Sequence, residues 1–239
     1  MDEVKKFFLV CAENIERIDD VIDNALAPFK DYVDTASELV KPINTIREIV
    51  TLVKRNRLKE FASNYAKKIN QNVYVNEKER KNIEKYMEKD ENRELLGNII
   101  DSALNSNCNK CSAILGYYAG KILNELINIE YKDMIIVNAL RSMNDYDLKY
   151  FYKLYQYIKD ENLCEKSPSG TNIFFLKKED EFKLKFNVLI IGQKLKSIQV
   201  INSDENEVMS GCNAIFIGVI TEISDYLFSI IKESQIYLE

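Results

Sequence analysis

Val4-Lys-Lys-Phe-Phe-Leu-Val-Cys-Ala-Glu-Asn-Ile-Glu-Arg-Ile18 opens a run in which small or apolar residues recur at alternating spacings of four and three. The run passes through Val4, Phe8, Cys11, Ile15, Ile18, Ile22, Ala25 and Phe29. It continues through Tyr32, Ala36, Leu39, Ile43, Ile46, Val50 and Val53 without losing phase. Such spacing places one apolar seam along a helix, and a seam of that length needs a surface to cover it. The seam therefore predicts partners: a second copy of the chain, or another protein. Phe8, Ile15, Ile18, Ile22, Phe29, Tyr32, Leu39, Ile43, Ile46 and Val50 are the expected interface residues.

Pro28 and Pro42 fall beside the seam without shifting it. Proline is tolerated in the first turn of a helix and kinks or ends one internally. The segment is expected as one kinked helix or as three helices near 3–26, 28–40 and 42–69, in a helical bundle or a kinked coiled coil. After Val53 the phase slips, and a second stripe begins at Leu58, Phe61, Tyr65 and Ile69. Lys54-Arg-Asn-Arg-Leu-Lys59 is a basic patch at the slip, read as a solvated face or a salt-bridge partner.

The chain has 239 residues, 46% hydrophobic and 30% charged, values typical of a globular protein. All seven glycines lie beyond residue 96, and three prolines are the only other backbone punctuation. Long helices over the first two thirds follow. The net charge of −5 is segregated: residues 1–53 carry 11 acids and 6 bases, whereas 54–93 carry 7 acids and 12 bases. The two segments are suited to pair with one another or between copies.

The absence of histidine is the sharpest exclusion. It removes the commonest general base and metal ligand, and with them every Ser-His-Asp and Cys-His nucleophilic site. No phosphate loop, dinucleotide fingerprint or nucleophile elbow is present. Carboxylate pairs such as Asp19-Asp20 and Asp90-Glu91 are read as solvated. The expectation is a non-enzymatic chain without catalytic residues, metal or cofactor. Phe7 to Ala12 is only a six-residue apolar run, and no stretch approaches the ~18 apolar residues of a membrane span, so a cytoplasmic protein with reduced thiols is expected.

Cys108-Asn-Lys-Cys111 is the one arrangement that resembles reactive chemistry. A structural zinc needs four ligands, and Cys164 and Cys212 would have to join the pair to supply them. A thioredoxin-type disulfide lacks the preceding βαβ pattern. The reading adopted is two half-buried thiols at a helix start. Gly116 and Gly120, four residues apart, suggest close helix–helix contact.

Along the rest of the chain, Asn70 to Asn76 reads as a connector with Asn76-Glu-Lys-Glu79 as a cap. Helices are expected over 77–90, 91–105, 111–128 and 131–143. In the last, Asp133 and Arg141 stand in the order the helix dipole favours. Asp145 is expected to cap a helix over 146–160 whose aromatics face the core. Ser167-Pro-Ser-Gly170 signals a turn. Thr171 to Leu176 and the alternating Phe182-Lys-Leu-Lys-Phe-Asn-Val188 are expected to pair as a hairpin about Glu179-Asp-Glu181. A short helix over 192–200, a polar loop over 202–210 and a helix over 214–236 complete the reading.

The expected fold is mainly α. It comprises a long amphipathic segment over 1–70, a helical domain over 71–160 and a small α+β, winged-helix-like module over 161–239. A nucleic-acid-binding regulator working through that module, or a membrane-active helical effector, are the alternatives. Residues 161–239 carry 12 acids and 8 bases, and the first segment is acidic, which weighs against both.

Asp90-Glu-Asn-Arg-Glu-Leu-Leu-Gly-Asn-Ile-Ile-Asp-Ser-Ala-Leu104 resembles a helix of the abortive-infection alpha family of bacterial phage-resistance proteins. Phe182-Lys-Leu-Lys-Phe-Asn-Val-Leu-Ile-Ile-Gly-Gln-Lys-Leu195 is similar to that family's closing element. Ile190 stands where the family favours threonine, and the His-Pro step between the two elements is missing. The resemblance implies an accessory protein of phage defence or of a mobile element, with no catalytic residues to carry over.

Overall fold

The computed structural model describes residues 52–54, 56–65, 67–68, 85–86, 88–166, 170–202 and 214–236. Expectations for 3–26, 28–40, the connector at 70–76 and the loop at 203–210 lie outside these residues. Within 52–68 the described residues are helical, as are Lys85 and Tyr86.

Four helices follow: α1 (Asp90–Leu104), α2 (Asn109–Glu125), α3 (Tyr131–Ser142) and α4 (Asp145–Asp160). Then come strands β1 (Cys164–Lys166) and β2 (Asn172–Lys177), helices α5 (Lys178–Leu184) and α6 (Val188–Ser197), strands β3 (Ile201–Asn202) and β4 (Ala214–Ile220), and helix α7 (Glu222–Glu233). The described chain is thus mostly helical, with a small antiparallel sheet of order β1-β2-β4-β3 near its C-terminus.

Helix α2 organises the packing. Residues 111–120 are buried without interruption, so the helix is covered on every side. Its small residues allow a close backbone approach. A Cβ added at Gly116 would stand 2.1 Å from the carbonyl oxygen of Phe61, and one at Gly120 would meet the Lys68 Cβ at 2.9 Å. The 52–68 helix therefore lies backbone-close on α2, as the glycine spacing suggested, and drives Leu58, Phe61, Ala62 and Tyr65 into the core. Arg57, from the basic patch, donates to the carbonyl of Leu104 at 3.4 Å, placing a cation at the C-terminal end of α1 where the dipole favours it.

The carboxylates of Asp90 and Glu91 occupy the first turn of α1, which gives them a dipolar role in addition to solvation. Asp133 and Arg141 take their expected ends of α3, and Arg141 reaches Asp101 of α1 at 3.0 Å. The cap of α4 is Asn144 and not Asp145. The Asn144 Oδ1 accepts the N–H groups of Tyr146 and Asp147 at 2.8 and 3.0 Å, and the Asp147 carboxylate accepts the Asn144 N–H in return. That reciprocal pair satisfies donors that a cap one residue later would leave open. Phe151 and Tyr155 face the core, and Phe228 of α7 stacks on Tyr155 at 4.2 Å and Tyr152 at 4.9 Å.

The second half departs from expectation in three places, the first being that the short helix expected over 192–200 runs as α6 from Val188 to Ser197. Residues 182–188 are not a strand: they lie in α5, a short link and the start of α6. Glu179, Asp180 and Glu181, read as a turn, form the acidic first turn of α5, where the Asp180 carboxylate accepts the Lys177 N–H at 2.7 Å. Asn187 caps α6 by accepting the Ile190 N–H at 2.9 Å. Alternation over seven residues does not describe one face here, since Phe182 is exposed and Leu184 buried. The helix expected over 214–236 is a strand followed by a helix. Ile215, Ile217, Val219 and Ile220 give β4 its β-branched character. Thr221 then exchanges capping bonds with Ser224, at 3.2 and 3.1 Å, to begin α7. The true partner of β2 is β4 on one side and β1 on the other. One apolar core runs through both halves, from Leu58 and Leu96 to Phe174, Leu195 and Ile230.

The Gly116 contact gives a paired prediction. Gly116→Ala should lower the urea midpoint, with a loss of about 1–3 kcal/mol from overpacking against backbone. Gly97→Ala lies on an exposed helix position with nothing nearby, and should stabilise by about 0.5–1 kcal/mol.

Candidate functional site

The α1–α2 turn brings the two central cysteines together. Cys108 takes an extended backbone and caps α2, and its Sγ accepts the Cys111 N–H at 3.2 Å. Cys111, at the third helical position, faces back toward it, leaving the two sulfurs 2.8 Å apart. Both thiols are free. They are buried, where the sequence suggested half-burial: Cys108 is 5% exposed and Cys111 0%.

The surrounding turn is tied down by hydroxyls that sequence inspection passed over. Ser106 Oγ donates within the turn, to Ala103 O at 3.0 Å or Cys108 O at 2.9 Å, and lies 3.1 Å from Ser112 Oγ. Ser112 hydrogen-bonds to Ala103 O. Asn107 binds across to the end of α3, its N–H to Arg141 O at 3.3 Å and its amide to Ser142 O at 2.9 Å. Cys111 S–H points to Met143 O at 3.4 Å. The pair thus sits where the α1–α2 turn meets the α3–α4 turn. The presence of Ser106, two residues before a cysteine that caps a helix, was the available signal.

The two thiols differ in acidity. The hydrogen bond with the Cys111 side chain holds the Cys108 thiol below its usual range, helped by the N–H groups of Cys111 and Lys110 and opposed by burial. The same hydrogen bond, then burial and the carboxylates of Asp145 and Asp147, push Cys111 well up. Cys164 stands apart on β1, its thiol raised by burial. Among the described residues no group of three or more Cys, Asp or Glu could hold a metal ion, and Cys212 lies outside them.

A polar groove of about 660 Å³ runs beside the first turns of α2, between the 52–68 helix and the end of α7. Asn109 and Lys110, the two residues between the cysteines, line it along with Lys68, Tyr117 and Glu233. Two of its charges, Lys68 and Glu233, pair with residues of α2. Lys121 meets Glu233 at 2.6 Å, Lys68 meets Glu125 at 3.2 Å, and Tyr117 donates to Glu233 at 3.2 Å. Paired charges of this kind bind adjacent helices together.

The expected interface residues Phe8, Ile15, Ile18, Ile22, Phe29, Tyr32, Leu39, Ile43, Ile46 and Val50 lie outside the described residues. Val53, the last seam position, is described and is 36% exposed, and its neighbour Leu52 is 56% exposed. Among the described residues no helix is long and apolar enough to cross a membrane. Comparisons with family models, with curated proteins and with solved structures gave no match.

Several core tyrosines carry a pH prediction. Burial, with Asp133 and Glu91 nearby, pushes Tyr86 up to about 12. Burial, with Glu233, does the same to Tyr117. Burial also raises Tyr118, which donates to Asp133, and Tyr155, which donates to Asp225. A raised folded value means the unfolded chain releases its proton first. The stabilisation is therefore complete below the ordinary tyrosine value of ~10 and is lost as pH rises from there. Alkaline titration should show tyrosinate absorbance and loss of helical circular dichroism rising together above pH ~10. Ionisation of all 14 tyrosines with the helical signal intact would contradict it.

Proposed function

We propose that this chain is a non-enzymatic interaction protein that associates with a second copy of itself through the apolar seam from Val4 to Val53, or docks another protein there. The observation that carries the reading is the contrast on the 52–68 helix. Leu58, Phe61, Ala62 and Tyr65 fill the core, whereas Leu52 and Val53, at the end of the seam, remain at the surface. The second stripe meets the core's need for apolar side chains on this helix, which leaves the seam for another surface. The acidic character of 1–53 and the basic character of 54–93 suit pairing, within the chain or between copies. The resemblance of Asp90–Leu104 and Phe182–Leu195 to the abortive-infection alpha family supports phage defence or a mobile element as the setting.

A winged-helix-like use of the C-terminal module on nucleic acid has less support. Helix α7 carries Glu222, Asp225 and Glu233 against a single cation, Lys232, the reverse of a recognition helix.

Ile18→Asp with Ile22→Asp tests the seam. Wild-type protein should give a light-scattering mass that is a multiple of 27.8 kDa, and the double variant a mass near 27.8 kDa with an unchanged near-ultraviolet unfolding midpoint. A wild-type mass of 27.8 kDa at every concentration would sink self-association. For the setting, cells carrying the wild-type chain should yield fewer phage than cells carrying the double variant, and equal yields would remove it.

A further inference from the structure

We propose that Cys108 and Cys111 form a modification site, a dithiol that a small peroxide converts to a disulfide within the chain. Three features of the turn support it independently of the seam. Capping of α2 by Cys108 brings residues three apart into sulfur–sulfur contact at 2.8 Å, so no backbone rearrangement is needed to bring them together. The turn is held from two directions, by Ser106 and Ser112 from within and by Arg141 O and Ser142 O through Asn107 from α3. The two sulfurs are also chemically unequal, with the Cys108 thiol held down and the Cys111 thiol pushed up by their shared hydrogen bond.

The steps follow from that inequality. The Cys108 thiolate attacks one oxygen of the peroxide. The O–O bond breaks, the leaving oxygen departs as water after protonation, and Cys108 becomes a sulfenic acid. Cys111 then gives up its proton, and its sulfur attacks Cys108 Sγ and expels hydroxide, which takes that proton and leaves as water. The balance is two thiols and one hydrogen peroxide giving one disulfide and two waters. A small oxidant suits the site, since Cys108 is only 5% exposed. Asp145 and Asp147 oppose thiolate formation at this pair, while the helix N–H groups favour it at Cys108. Cys164 lacks a neighbouring thiol among the described residues and has its own acidity suppressed, so it should oxidise more slowly.

The test uses the full chain, hydrogen peroxide as the probe, and alkylation with N-ethylmaleimide in denaturant after quenching. Of the five cysteines, two should lose alkylation, and peptide mapping should join 108 to 111 with the loss of two hydrogens. Dithiothreitol should restore both. Cys108→Ser keeps a side chain suited to capping α2 and should fold normally while leaving Cys111 alkylatable after peroxide. Cys111→Ala should leave Cys108 as a sulfenic acid that dimedone traps. Retention of both thiols in the wild type overturns the proposal. So does oxidation of either to sulfinic acid without a disulfide, or a disulfide to any other cysteine.

Discussion

The approach of the 52–68 helix to α2 at Gly116 is the constraint on which the rest of the described structure depends. A Cβ there would stand 2.1 Å from the Phe61 carbonyl, so the two backbones can meet only because that position carries no side chain. Their proximity lets Phe61, fully buried, act as an anchor across the crossing. With one side of α2 closed in this way, α1, α3, α4 and α7 cover its remaining sides. The sheet then closes the far end, where Phe174 and Phe216 continue the same core. A helix buried on every side cannot shift without disturbing all its neighbours. This makes the α2 N-terminus, with its two thiols, one of the better-fixed points of the fold.

The four central helices were legible because their apolar positions recur at helical spacing and polar turns separate them. The close contact at Gly116 and Gly120 was legible for a similar reason, since two small residues one turn apart have few other uses in a helix. The C-terminal region was less so, and two ambiguities explain it. Phe182 to Val188 alternates over a window too short to distinguish a strand from helical ends, and the capping chemistry of Asp180 and Asn187 decided the matter. Ala214 to Ile220 is apolar enough for a buried helix or a buried strand. Its β-branched residues, the glycine at 218 and the Thr221 cap together favour the strand.

At the thiol pair, spacing alone located the residues but not their character. A Cys-x-x-Cys sequence fixes separation along the chain and leaves open whether the first cysteine caps the helix. Only the cap geometry places both sulfurs on the inner side of the turn, while Asn109 and Lys110 turn toward the groove. The inequality of the two thiols is likewise tertiary. It depends on which sulfur the helix N–H groups reach, and on Asp145 and Asp147 arriving from the next helical connection.

The slip in phase after Val53 has a geometric meaning. At ~100° per residue, the mean direction of Leu58, Phe61, Ala62 and Tyr65 lies roughly 130° round the helix from Val53. A helix turned in this way can seat one stripe against α2 while offering the other to a different surface, and neither contact competes with the other. Arg57 and Glu60 stand where the seam would continue, and their charges end it there, whereas Leu58 and Phe61 begin the stripe that packs against α2. The slip thus lets adjacent turns of one helix present different faces. It also gives the basic patch between the stripes a place, since Arg57 reaches the carbonyl of Leu104 at the C-terminal end of α1.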